Sequence, residues 1–295
     1  MSNIGLDLPR PFRGPVSVDD SEWLFNQSKS QAGQDLFIIA MTQGKSHGTW
    51  LEIGCGDPIR SNNTYLLEKK LGWTGISIDS QKMDDDIVTP FEEYWSGFYS
   101  VIRRPHWPQQ TVLPDQIPGD TVLKNIPYFQ NFIQRQLTDI DQIPKSQRNW
   151  CNTRPSTDFH QVDALTFDYS IVPAYCDYLQ IDIHPSSNNL KLLELILPDH
   201  RFGVITFEHD AWDHTQVSKQ VRLQSRSILK DHGYLMVISD ATIPPGHGNG
   251  IGDEPINFED WWVDPEIVPE SVWSLYQNLD NSGTPKYYYH TVLQS

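Results

Sequence analysis

The stretch from residue 49 to residue 79 constrains this chain most. Residues 49–54 (TWLEIG) form an apolar run closed by a glycine, as a short buried strand does. Ser61, Asn62 and Asn63 then offer side-chain oxygens that can cap a helix start. In residues 65–71 (YLLEKKL), Leu67 and Leu71 stand one helical turn apart, and Gly72 occupies the position of a helix-terminating glycine. Residues 75–79 (GISID) make a second apolar run. Strand, turn, helix and strand within about 30 residues is the size of a βαβ unit.

The same alternation recurs along the chain. A helix is expected over 28–41, with Leu36, Phe37, Ala40 and Met41 on one face. Strands are expected at 160–165, 177–183 (DYLQIDI), 203–208 (GVITFE) and 234–240 (YLMVISD). Between them lie a helix over 188–197, stopped by Pro198, and another over 215–231 with Val217, Val221, Leu223, Ile228 and Leu229 as its apolar positions. Strands alternating with helices predict one α/β domain, doubly wound, with a mostly parallel sheet and helices on both faces. Three segments fall outside the rhythm. Residues 1–27 read as a proline-rich N-terminal arm. Residues 81–158 read as an aromatic-rich insertion or cap with a local helix at 121–137. Residues 241–295 read as a loop followed by a C-terminal cap.

Charge narrows the partners. The 38 Asp and Glu against 22 Lys and Arg leave a net charge of −16, which disfavours nucleic acid and anionic membranes. No apolar run approaches the roughly 18–20 residues that span a bilayer. The first residues lack the apolar centre of a signal peptide. Cys55, Cys151 and Cys176 have neither the number nor the spacing of a disulfide framework or a zinc site. A cytoplasmic protein is the expectation.

The turn after the first strand reads Glu52-Ile53-Gly54-Cys55-Gly56. A dinucleotide fingerprint needs a third glycine at position 59, which is Ile59, and no phosphate-binding GK[ST] is present. An acid two residues before the first glycine suits S-adenosylmethionine (SAM), which carries a sulfonium and an ammonium and no phosphate. Asp79, at the end of the second strand, can accept both ribose hydroxyls.

The chain resembles the FkbM family of SAM-dependent methyltransferases. The resemblance rests on Ser30-Gln31-Ala32-Gly33-Gln34-Asp35, Leu51-Glu52-Ile53-Gly54, residues 61–68 (SNNTYLLE) and Leu71-Gly72-Trp73-Thr74-Gly75 leading to Asp79. It continues through Asp163-Ala164-Leu165-Thr166, residues 177–182 (DYLQID), residues 204–210 (VITFEHD) and residues 259–263 (EDWWV). It implies a class I methyltransferase-like, Rossmann-like fold with a seven-stranded sheet whose last strand is antiparallel. By the same resemblance, Glu52, Gly54 and Gly56 line the methionine end of SAM and Asp79 holds the ribose. Asp163 faces the adenine amino group with Ala164 beside the ring, and Asp182 lies near the sulfonium or ammonium. Two departures stand out: Asp79-Ser80 replaces a common Glu-Pro, and the segment 182–187 (DIHPSS) replaces an acid-rich motif.

The expected activity is O-methylation of a hydroxyl on a sugar, glycan or secondary metabolite, so the expected partner is a small-molecule or glycan acceptor. His209, His184 and Asp182 are the candidate catalytic residues, since a hydroxyl acceptor must lose its proton. A divalent metal ion is a further candidate cofactor. Asp182, His184, Glu208, His209, Asp210, Asp213, His214 and Asp240 all fall on strand-end loops, and carboxylates with imidazoles suit such ions. Trp95, Phe98, Tyr99, Trp107, Trp261 and Trp262 are either packing residues or a platform for the acceptor. A SAM-binding module without turnover and an NAD-type oxidoreductase are the alternatives.

Overall fold

Alternate residues of a strand face opposite sides of its sheet, so each strand here serves two different interiors. The computed structural model of the chain describes residues 27–30, 32–59, 61–80, 150–211, 214–243 and 256–277. In chain order the elements are α1 (Gln34–Met41), β1 (Thr49–Ile53), α2 (Tyr65–Leu71), β2 (Thr74–Asp79), α3 (Trp150–Thr153), β3 (Thr157–Gln161), β4 (Tyr175–Ile181), α4 (Ser187–Ile196), β5 (Arg201–Glu208), α5 (Gln216–Asp231), β6 (Leu235–Ile243), β7 (Ile256–Val263) and α6 (Glu270–Gln277).

The seven strands form one sheet in the order β3-β2-β1-β4-β5-β7-β6. Neighbours from β3 to β5 are parallel, and β7 runs antiparallel to both β5 and β6. This is the expected mostly parallel, seven-stranded sheet, with its last strand reversed.

The two faces differ in chemistry. Leu51, Ile53, Leu179, Ile181, Ile205 and Phe207 share one face and join Leu192 and Ile196 of α4 and Val221 and Leu229 of α5 in one apolar core. The other face carries Glu52, Ser77, Gln180 and Thr206 in one cross-strand row, all buried. There α1 packs over the sheet, with the Phe37 and Trp261 rings 4.9 Å apart.

Local chemistry sets the element ends. The helix expected over 28–41 starts only at Gln34. The preceding residues fold round the Asp35 carboxylate, which accepts from Ser28 Oγ (2.8 Å), Ser30 Oγ (2.6 Å) and the Lys29 amide (3.0 Å). The first turn of α2 is capped by Asn62, whose Oδ1 accepts from the Thr64 and Tyr65 amides. Gly72 ends α2 at a φ of 66°, a left-handed conformation that favours glycine. Thr215 caps α5 by accepting from the Ser218 amide at 3.1 Å.

Two expectations need correction. The strand expected at 160–165 lies at Thr157–Gln161, because Asp163 accepts from the Leu165 amide and turns the chain into a short 3-10 helix, Ala164–Thr166. The segment expected as a C-terminal loop and cap contains β7, which enters the sheet between β5 and β6. Its sequence, INFEDWWV, carries two acids that look like surface residues, yet Glu259 and Asp260 are both buried. Trp261 and Trp262 beside them are 1% and 0% exposed, which makes them core residues rather than an acceptor platform. The N-terminal arm up to residue 26 and the insertion from 81 to 149, with its expected helix and aromatic residues, lie outside the described residues. No helix among the described residues is long and apolar enough to cross a membrane.

Candidate functional site

In an open α/β sheet, ligands bind beyond the carboxyl ends of the strands where the strand order reverses. Here that point lies between β1 and β4. Gly54 leaves β1 at a φ of 81°, and a Cβ there would fall 1.6 Å from the Asp182 carbonyl oxygen. The Asp182 amide in turn donates to the Ile53 carbonyl at 2.9 Å. Gly54 thus lets the two strand-end loops press together, since any side chain there would collide with the Asp182 carbonyl. Gly56 differs: its φ is 54° and nothing lies within 4 Å of where a Cβ would be. Its amide donates to Asp79 Oδ2 at 2.9 Å, so the open glycine and the strand-end acid are brought together.

Glu52 lies beneath this loop and is fully buried. Its Oε2 accepts from Thr64 Oγ1 (2.9 Å) and Ser77 Oγ (2.8 Å). Burial raises its carboxyl above the usual range, opposed mainly by the charge of Arg154. Arg154 is a residue the sequence did not mark. Completely buried, it donates to the Pro58 carbonyl (3.0 Å), Asn62 Oδ1 (2.8 Å) and Thr64 Oγ1 (2.8 Å), and it pairs with Glu68. One guanidinium therefore ties the glycine loop to α2. It stands in a stretch, Asn-Thr-Arg-Pro, with no periodic pattern to flag it.

Asp163 is exposed just beyond β3, whose last residue pairs with Asp79, and the Val162 amide donates to the Asp79 carbonyl at 3.0 Å. The two acids therefore sit on neighbouring strand ends. Ala164 is buried in the apolar core, so Asp163 is the exposed member of that pair.

Further along the same edge, Asp182, His184 and Glu208 each place a ligand atom within 4.8 Å of the others. Burial pushes the Asp182 carboxyl up to about 7; Asp210, Asp79 and Glu52 add repulsion, while His184 opposes it. His184 Nδ1 lies 3.4 Å from Asp210 Oδ2, and that partner raises the imidazole pKa. Asp210 holds a φ of 54°, an uncommon backbone conformation outside glycine. Glu259 stands opposite Glu208 on β7 and accepts a hydrogen bond from Gln34 Nε2 of α1. Burial first, and then the Asp182 charge, holds its carboxyl well above the ordinary range. Gln34 and Glu259 fall within the residues that carry the family resemblance, but their meeting joins positions far apart in sequence.

His209 is elsewhere. Glu208 faces the α1 side of the sheet, and the next residue turns to the opposite side. The His209 side chain is 0% exposed, with Nδ1 accepting from the Ala211 amide at 3.1 Å. Its Nε2 lies 3.5 Å from Asp240 Oδ1 and 3.6 Å from Asp260 Oδ1. Arg226 donates twice to Asp260, at 2.7 Å each, and Arg222 donates to Asp240. Although burial opposes ionisation, the bonds from Arg226 and the nearby His209 ring hold Asp260 well below the usual carboxylate range. The expectation that His209 faces the cleft is corrected by strand parity and burial. Asp213 lies outside the described residues, and His214 is exposed.

Four buried side-chain oxygens have no hydrogen-bond donor among the described residues, Glu52 Oε1, Asn63 Oδ1, Gln180 Oε1 and Glu208 Oε2, and His209 Nε2 on the other face is likewise without a hydrogen-bond partner. Glu52, Gln180 and Glu208 share the α1 face of the sheet. A buried acceptor without a donor costs roughly 1–3 kcal/mol, so the edge favours a ligand that brings donors or positive charge.

No protein-family model matches this chain, and no curated protein sequence matches it. Among solved structures, it is similar to an O-methyltransferase from Bacillus cereus in complex with SAH, with 13% identity, coverage of 83% of this chain and 90% of that chain, and a TM-score of 0.42. It is also similar to precorrin-6y C5,15-methyltransferase from Geobacter metallireducens GS-15, with 10% identity, coverage of 78% and 86%, and a TM-score of 0.39.

Proposed function

We propose that this chain is a SAM-dependent methyltransferase that transfers the methyl group to a hydroxyl of a sugar, glycan or secondary metabolite. The observation that carries this reading is the switch-point edge itself. There the open Gly56 lies against Asp79, while Glu52 Oε1, Asn63 Oδ1, Gln180 Oε1 and Glu208 Oε2 are acceptors with no donor among the described residues. A ligand with an ammonium, a sulfonium and ribose hydroxyls, and with no phosphate, matches such a surface. An NAD-type dinucleotide matches it less well, because the position of the third glycine holds the buried Ile59.

In this reading Asp79 and Gly56 hold the ribose side of SAM, Asp163 lies towards the adenine, and Glu52 supports the methionine end from beneath the loop. SAM would supply the methyl group. The chain's own residues orient the acceptor and take up its proton. Asp182 and His184 border the acceptor, with the carboxyl of Asp182 near neutrality and Asp210 orienting the imidazole. His209 has no place at the reacting atoms.

The test is thermal denaturation with S-adenosylhomocysteine. At about 100 times its Kd, a ligand of the native state stabilises by roughly 2.7 kcal/mol, which is a rise of several degrees. Asp79→Ala should abolish the rise. A wild-type protein that SAM and its product leave unstabilised would overturn the cofactor assignment. A panel of hydroxyl acceptors, read as S-adenosylhomocysteine formed, then separates an enzyme from a binding module.

A further inference from the structure

We infer that Asp182, His184 and Glu208 form a divalent-metal site on the acceptor side of the cleft, selective for borderline first-row ions over Mg²⁺ and Ca²⁺. The inference deepens the proposed methyl transfer but does not need it, because metal binding is read directly. Two carboxylates and an imidazole already lie within 4.8 Å of one another, close enough to share one ion without rebuilding the loops. A nitrogen ligand beside two oxygens suits Zn²⁺, Fe²⁺ or Co²⁺, whereas Mg²⁺ and Ca²⁺ take oxygen sets.

The surroundings supply independent support. Glu208 Oε2 is buried with no donor among the described residues, and so is Gln180 Oε1, two residues before Asp182 on the same face. No lysine or arginine among the described residues pairs with Asp182 or Glu208. The other histidine–acid cluster, His209, Asp240 and Asp260, has the same kind of donor set but is neutralised by Arg222 and Arg226. A cation entering that second cluster would meet two guanidiniums, whereas one entering the first meets uncompensated acceptors. Asp210 completes the site. Its Oδ2 lies 3.4 Å from His184 Nδ1, the arrangement in which a carboxylate behind a ligating imidazole fixes its orientation and leaves the other ring nitrogen for the ion.

The experiment uses the full chain, stripped with a chelator, dialysed and titrated with Co²⁺ while visible absorption is followed. Zn²⁺ and Mg²⁺ are then added as competitors. One Co²⁺ per chain with d–d bands in the visible is expected, displaced by Zn²⁺ and not by equimolar Mg²⁺. His184→Ala, at a side chain that is 72% exposed and thus safe for folding, should weaken binding about 10-fold or more, as should Glu208→Gln. Asp240→Asn, in the neutralised cluster, should leave affinity unchanged. Three results would each overturn the site: no Co²⁺ bound by the wild type, affinity unaltered by both His184→Ala and Glu208→Gln, or affinity lowered by Asp240→Asn alone. None of these readouts depends on SAM, so failure of the metal site and failure of the methyltransferase reading are separable.

Discussion

Two clusters of one histidine and two acids stand about the ends of β4, β5, β6 and β7, on opposite faces of one sheet. In the cluster of His209, Asp240 and Asp260, every charge has a counterpart, since Arg226 and Arg222 bind the two carboxylates and the histidine is sealed between them. In the cluster of Asp182, His184 and Glu208, no cationic side chain among the described residues pairs with the acids, and His184 projects to solvent. The difference teaches that residue type does not distinguish a fastening from a site. Neutralisation does: acids balanced by guanidiniums, as Asp240 and Asp260 are by Arg222 and Arg226, fasten the fold, and acids with no cationic partner among the described residues are left for a ligand.

That contrast can be broken or sharpened by substitution in chelator-treated protein. The largest effect is expected from Asp260→Ala, which leaves Arg226 and His209 without their shared carboxylate. A loss of about 3–5 kcal/mol in urea unfolding is expected, and a loss below about 1 kcal/mol would show that the network is not a fastening.

Asp182→Asn should act in the opposite sense. Its folded pKa is raised to about 7, so its contribution is full below the unfolded carboxylate value and is lost as pH rises through about 7. The variant should therefore be more stable than wild type at pH 8, by about 1 kcal/mol after allowance for solvent screening, and little changed at acidic pH. Denaturant midpoints at the two pH values decide, and equal destabilisation at both would contradict the contrast.

Glu259→Gln follows the same sign. The buried carboxyl is favoured neutral, so the folded protein loses stability as pH rises through the raised value. The glutamine should flatten the alkaline side of the melting-temperature profile by a few degrees at most. An unchanged profile would show that Glu259 titrates normally. The smallest effect belongs to His184→Ala, within about 0.5 kcal/mol of wild type by thermal melting, while methyl transfer to an accepted substrate falls sharply. A large stability loss there would make His184 a structural residue.

Much of this architecture was legible in local pattern. Residues 49–53, 65–71, 74–79 and 203–208 were placed within a residue or two, because apolar runs, an Asx cap and a left-handed glycine are all local signals. β7 was not legible in the residue pattern, which gave a loop and cap over 241–295; only the resemblance implied a reversed last strand. Arg226 of α5 and Gln34 of α1, brought from far along the chain, explain how Glu259 and Asp260 are buried. The site divided in the same way. Asp79, Gly56 and Asp182 follow from their positions at strand ends. The burial of Glu52 and the close approach of Gly54 to the Asp182 carbonyl were not legible, because they depend on how closely β1 and β4 approach. Arg154 gave no signal, since its partners come from residues 58–68.

The sequence by itself determined the alternating elements, the glycine turn after the first strand and the acids at the strand ends. Each of these is fixed by backbone preference or by the spacing of apolar residues. Only the tertiary structure decided which histidine reaches the cleft. Adjacent residues leaving a strand face opposite sides of the sheet, and the charges that neutralise one side come from helices distant in the chain. That is why Glu208 belongs to the open edge and His209, its neighbour, to the closed one.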